Sequence, residues 1–287
     1  MGMGLHEWPL ILFTVIGQTV SGAFIILGLA ILKNIIPENL NLKVHHSMLG
    51  LWLLMGVGFL LSMMHMGSPL RAFNSLLRIG HSPLSNEIAA GSLFFAFGGT
   101  YWLIALSNKF STLFVRIMLV TTMLLSLLFI IAITRVYQIE TVPTWNNAYT
   151  TLSFILTACI SGPVLASLLL RIAGVNLISI RFLPLSCIVA VIFSAMIIFN
   201  QTIDLSSIET SAQKALDLVP NYKLLMSLKI ILLISGIGIW LAFIQKERNP
   251  SVSVMVFCFF AVFFGELIGR GVFYGLHMTV GLFVVGV

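Results

Sequence analysis

Eight long apolar runs, each enough to cross a bilayer as a helix, leave this chain little choice of fold. A spanning helix needs roughly 20 mainly apolar residues, because the hydrocarbon offers stray backbone groups nothing to bond to. Such runs fall near residues 9–33, 44–66, 88–107, 112–134, 150–171, 182–200, 224–244 and 252–274, joined mostly by short loops. The 287 residues therefore read as all-α, one polytopic membrane domain (1–287) of eight transmembrane helices. Composition excludes a soluble fold: 59% of residues are hydrophobic and 8% charged, where soluble domains carry about 25% charge. The first run has no basic flank and no small-residue cleavage site, and it is too long for a signal-peptide core, so it reads as retained.

The formal net charge of +6 makes no nucleic-acid surface, because the fifteen Lys and Arg residues are scattered singly between apolar runs and form no patch that could track phosphates. Their distribution orients the chain instead. Loops after the first, third, fifth and seventh spans hold Lys33, Lys43, Lys109, Arg116, Arg171, Arg181, Lys246 and Arg248 against the acids Glu38 and Glu247. The opposite loops hold Arg71, Arg78, Arg135, Lys214 and Lys223 together with six acids. The positive-inside bias puts the first set in the cytoplasm and both termini in the periplasm. Trp8 and Trp145 fall near the outer interface, Trp102 and Trp240 near the inner one, and Trp52 deeper. No exact internal repeat is visible, though the chain divides naturally into two groups of four spans near 135–149. In the longest outer loop, 201–223, the pattern IETSAQKALDLVP puts Ile208, Ala212, Ala215, Leu216 and Val219 on one face of a short helix. That segment is either a surface or partner-binding helix or a plain connector.

Cys159, Cys187 and Cys258 each stand alone in an apolar run, so neither a disulfide framework nor a metal or iron–sulfur ligand set is present. The histidines do not suit haem either. His6 and His277 fall near the outer face and His45 and His46 near the inner one, and no two share a mid-membrane depth. Any electrons delivered to this chain must leave through a partner.

The polar groups that remain gather toward one face. At about 1.5 Å per residue, a second span rising from near Val44 brings His65 to the outer edge of the hydrocarbon. Glu87 precedes the third span at that same edge, and Arg71 and Arg78 lie in the loop between them. Glu266 and Arg270 sit in the outer half of the last span, spaced so that they can pair on one helix. A quinol would suit this set: its oxidation needs an acceptor that titrates near neutrality, as histidine does, and a carboxylate to relay protons to water. Met63, Met64, Met66 and Phe73 would wall its ring and tail. Each residue also has a plainer reading. His65 would be an interfacial histidine, Glu87 a cap after Ser85 and Asn86, and Glu266 with Arg270 a structural pair. Gly269, Gly271 and Gly275 would then serve close helix packing.

Several blocks are specific beyond hydropathy: HEWPL (6–10), FTVIGQ (13–18), GLWLLMGVGFLLSMMHMGSPLRAFNSL (50–76), SNEIAAGSLFF (85–95), TVPTW (141–145) and GELIGRGVFYGLHMTVG (265–281). In these the chain resembles the membrane anchor subunits of bacterial dimethyl sulfoxide reductases, the DmsC family. Between about 150 and 250 the likeness rests on span pattern and LVPNY. The resemblance implies a multi-pass anchor in the bacterial cytoplasmic (inner) membrane. On its periplasmic side it would hold an iron–sulfur electron-transfer subunit and a molybdenum catalytic subunit. It further implies menaquinol as substrate, oxidised where the family's histidine and glutamate match His65 and Glu87. Arg71 is a candidate for positioning the quinol. Two other readings stand beside this one: a transporter, which would place broken helices and polar groups at the midplane of two matching halves, and a purely structural anchor without a quinol site.

Overall fold

The computed structural model describes residues 4–65, 74, 76–107, 109–209 and 214–279, apart from the side chains of Leu5, His65 and Leu76. Eight of its helices are long and apolar enough to cross a membrane. They are α1 (Trp8–Leu32), the joined pair α2 (Glu38–Ser47) and α3 (Leu49–His65), α4 (Pro83–Ser107), α5 (Thr112–Val136), α6 (Ala148–Ile172), α7 (Phe182–Ser207), α8 (Tyr222–Gln245) and α9 (Val252–Gly275). Successive spans reverse direction. One end of the bundle, here the Glu7 face, therefore gathers the starts of α1, α4, α6 and α8 and the ends of α3, α5, α7 and α9. The other end is the Lys33 face.

Local chemistry sets the ends. Ser111, Asn147 and Ser251 accept hydrogen bonds from the amides of Phe114, Thr150 and Val254, capping α5, α6 and α9. The helix α4 begins at Pro83, whose missing amide is no loss in a first turn. At the Lys33 face α1 and α6 end alike: Asn34 and Gly174 take a left-handed conformation, and Ile35 and Val175 donate back to the carbonyls of Ala30 and Leu170. The expected second span is longer than its apolar run. It includes the more polar α2 and breaks at Met48.

The two groups of four spans are packed on one plan. In the first, α1 lies against α3 and α5, and α4 against α5; in the second, α6 lies against α7 and α9, and α8 against α9. From Trp8 to Ala148 and from Thr112 to Val252 is the same interval of 140 residues. Between the halves α1 runs beside α6, and the contact of α1 with α9 is matched by that of α6 with α5. Gly22 and Gly162 let the two central helices meet: a β-carbon on Gly162 would come within 2.6 Å of the Gly22 carbonyl carbon. Small residues at such crossings are how membrane helices gain packing when lipid is as apolar as they are. Pro163 follows directly.

Trp240 lies five residues before the Lys33-face end of α8 and is fully buried against its neighbours. One expectation changes. The 201–223 segment forms no amphipathic helix in its described part. α7 runs on to Ser207 and a single 3-10 turn spans Ala215–Leu218, with Ala215 and Val219 buried near Val272 and Leu276.

Candidate functional site

Glu87 is the predicted residue whose surroundings are best defined. It lies in the second turn of α4 and is buried, with 4% of its surface exposed. The cap reading fails because the helix starts four residues earlier. Asn86 turns instead to the loop, accepting from the Gly80 amide at 2.7 Å. The Glu87 Oε1 atom is buried without a hydrogen-bond partner among the described residues. His65 ends α3 at the same face, but its side chain and all of Arg71 lie outside the described residues.

Two tyrosines that the sequence does not single out lie within electrostatic reach of this carboxylate. Tyr137 follows α5 and Tyr274 lies in the last turn of α9; their hydroxyls are hydrogen-bonded to each other. The charge of Glu87 acts on both phenols. The Tyr137 ring is held by Trp145, Phe154 and Phe273, with centroids 5.7, 5.3 and 5.5 Å away. Trp145 is fixed in turn by its indole N–H, which donates to the Phe273 carbonyl at 2.8 Å. Burial, reinforced by Tyr274 and the Glu87 carboxylate, pushes the Tyr137 phenol well above the ordinary tyrosine range. Both phenols border a cleft of about 500 Å³ at the Glu7 face, whose walls include His6, Glu7, Trp145 and His277.

Deeper in the same half-bundle, Glu266 and Arg270 are both buried, at 2% and 4% exposure, but the ion partner of Glu266 is a third residue. Lys229, on α8, is itself buried and donates to Glu266 Oε2 at 3.2 Å. Thr157 on α6 donates to the same oxygen at 2.8 Å and accepts from Arg270 Nη2 at 3.3 Å, so the two α9 charges are joined through a hydroxyl. Arg270 also donates to Gln18 at 2.6 Å and lies over the Phe154 ring, 3.3 Å from its centroid. A cavity of about 30 Å³ adjoins Lys229, Glu266 and Arg270, space enough for a water molecule. Gly269 serves this cluster rather than helix contact: its missing side chain leaves the room that the Lys229 stem fills, 2.7 Å from where a β-carbon would be.

The ionic cluster thus joins α1, α6, α8 and α9, while Arg270 and Glu87 both act on the tyrosine pair. Lys229 and Glu266 neutralise one another. Arg270 is left as a buried cation whose charge is met by hydroxyl, amide and ring, and Glu87 is the other buried carboxylate among the described residues. Chemically, Glu87 has a free lone pair in a dry place and can take a proton. Glu266 also has an unpartnered Oε1, but its Oε2 is engaged by Lys229 and Thr157, which suits a structural ion pair.

A signal for Lys229 existed in the sequence. A lone lysine inside an apolar run must find an acid at similar depth, and Lys229 lies seven residues into α8 from the Glu7 face where Glu266 lies nine residues in from the same face on α9. The tyrosines offered no such signal, since interfacial tyrosine is ordinary.

The DMSO reductase anchor subunit (DmsC) family model matches residues 1–276. Over 285 residues the protein is 48% identical to the C subunit of the anaerobic dimethyl sulfoxide reductase of Escherichia coli (strain K12), with 99% of each sequence covered. It is likewise 48% identical, over the full length of both sequences, to the YnfH subunit of an E. coli anaerobic dimethyl sulfoxide reductase. The C subunit of the Haemophilus influenzae enzyme is 37% identical over 286 residues, again the whole of each sequence.

Proposed function

The chain belongs to the DMSO reductase anchor subunit (DmsC) family, and from that premise we propose that it is also the quinol-oxidising subunit of a respiratory reductase in the bacterial inner membrane. The Glu7 face is its periplasmic side, as the excess of basic residues in the Lys33-face loops favours. Menaquinol reaches that face from the lipid. It gives up two protons and two electrons; the electrons pass to an iron–sulfur partner subunit and on to a molybdenum subunit that reduces the terminal oxide.

The observation that carries this reading is the buried, unpartnered Oε1 of Glu87. A carboxylate oxygen left dry and free is costly, and a hydroxyl of a bound quinol would satisfy it. Glu87 then accepts the proton of that hydroxyl. His65, ending the neighbouring span at the same face, accepts the other, as imidazole is suited to do near neutral pH. Arg71, in the segment joining these two spans, is placed in sequence to position the quinol or its partner. Glu266 and Arg270 hold α9 to α6, α8 and α1 and stand outside this step.

Glu87→Gln tests the proposal in membranes carrying the assembled complex. Quinol-dependent reduction falls at least about 100-fold, the scale of a lost proton acceptor. Reduction driven by a water-soluble dye that feeds the soluble subunits directly stays unchanged. Equal quinol-dependent rates in wild type and variant would leave a purely structural anchor as the better account.

A further inference from the structure

We infer that the hydrogen-bonded pair Tyr137–Tyr274 is the proton exit of the quinol site, carrying protons from Glu87 to the cleft that opens beside His6, Glu7 and His277. The inference rests on the quinol reading above and adds to it the route by which Glu87 is reset. A carboxylate that takes a proton in a buried place must pass it to water before the next turnover. The described surroundings of Glu87 offer Oε1 no partner, but both phenols lie close enough to feel its charge.

Geometry supports the direction. The two hydroxyls are bonded to each other, and both residues line the cleft of about 500 Å³. The pair therefore links the neighbourhood of a buried acid to the cleft. His6 and His277 are exposed in that cleft, where their ring nitrogens can hand a proton on to water. The rings are clamped. Tyr137 packs on Trp145, Phe154 and Phe273, and Tyr274 packs edge-on to Trp145, so each hydroxyl is held in place rather than swinging.

The transfer balances without redox chemistry. As the Glu87 carboxylic acid releases its proton to one phenol oxygen, that phenol passes its own hydroxyl proton to the second, and the second passes its own to the cleft. One proton enters, one leaves, and both tyrosines end as neutral phenols. The raised Tyr137 value fits such a concerted hop, since a free phenolate is disfavoured there. Arg270 is a positioning residue in this account: its charge reaches both phenols and it lies over Phe154, the ring that supports Tyr137.

Tyr137→Phe and Tyr274→Phe remove one hydroxyl each and keep the ring packing. In membranes carrying the assembled complex, three quantities are read: affinity for a fluorescent quinol-site inhibitor, kcat and KM for a menaquinol analogue, and the solvent deuterium isotope effect on kcat. Inhibitor affinity and KM stay within about twofold of wild type, kcat falls about tenfold or more, and the isotope effect rises as proton exit becomes limiting. An unchanged kcat in both variants overturns the relay while leaving the quinol site intact. Parallel loss of inhibitor affinity and kcat also overturns it, because the tyrosines would then be holding the quinol. An inhibitor that fails to bind the wild-type complex overturns the quinol reading itself and the relay with it.

Discussion

Lys229→Met isolates the electrostatic worth of the buried cluster. Methionine keeps the bulk of the stem that fills the space over Gly269 and removes only the cation. Glu266 then retains one donor, Thr157, on Oε2, while its Oε1 still has none. Breaking a buried ion pair from one side costs about 3–5 kcal/mol. The surviving Thr157 bond and the nearby Arg270 charge put this case at the lower end, about 3 kcal/mol. The mirror variant Glu266→Gln leaves Lys229 facing an amide oxygen, a dipole in place of a charge, and costs about 2 kcal/mol. The double variant buries neither charge, so its cost falls short of the sum by about 2 kcal/mol or more, within the range of coupled neighbours. The unfolding free energy of the purified protein in bicelles, measured by steric trapping for all four forms, closes the cycle. A coupling below about 0.5 kcal/mol, the scatter expected of independent sites, would refute the reasoning, and it would mean that Lys229 reaches lipid head groups rather than Glu266.

Two further predictions follow from glycines. Gly269→Ala presses its new methyl against the flexible Lys229 stem rather than against backbone, so it costs only about 1 kcal/mol, but the same double-mutant cycle repeated in that background shows a smaller coupling. Gly162→Ala drives a methyl into the backbone of Gly22 and costs about 3 kcal/mol; steric trapping reads the loss, and a cost below about 1 kcal/mol would show that α1 and α6 can part without penalty.

Span number and order were legible because hydropathy measures the length of a helix against the thickness of a bilayer. Their ends were less so. The helix α7 continues beyond its apolar run to Ser207, and there Asn200, Thr202, Ser206 and Ser207 bond to carbonyls of their own helix, so the polar side chains are satisfied without leaving it. For Glu87 the chemistry was readable but not the placement: a Ser-Asn-Glu start resembles a cap, and only the helix beginning at Pro83 turns the carboxylate inward. Glu266 and Arg270 were recognised as an intramembrane pair by their spacing, yet spacing on one helix cannot see a neighbour. The partners are Lys229, Thr157 and Gln18, which lie 37 and 109 residues from Glu266 and 252 from Arg270 along the sequence. The tyrosine pair is the extreme case, closing a gap of 137 residues between two positions that hydropathy alone treats as interface.

The shared packing plan of the two halves has a consequence of its own. A parallel dimer of four-helix subunits would be built this way, with Gly22 and Gly162 meeting across its axis. Two identical subunits, however, would have to repeat every buried charge. Here the position 140 residues before Glu266 is Ser126, a buried residue whose hydroxyl is satisfied by its own helix at the Met123 carbonyl. At this pair of matching positions one half carries an ion and the other is neutral. Joining the halves in a single polypeptide is what permits that division of labour: one of two equivalent positions holds an ion cluster while its counterpart is filled by a neutral side chain.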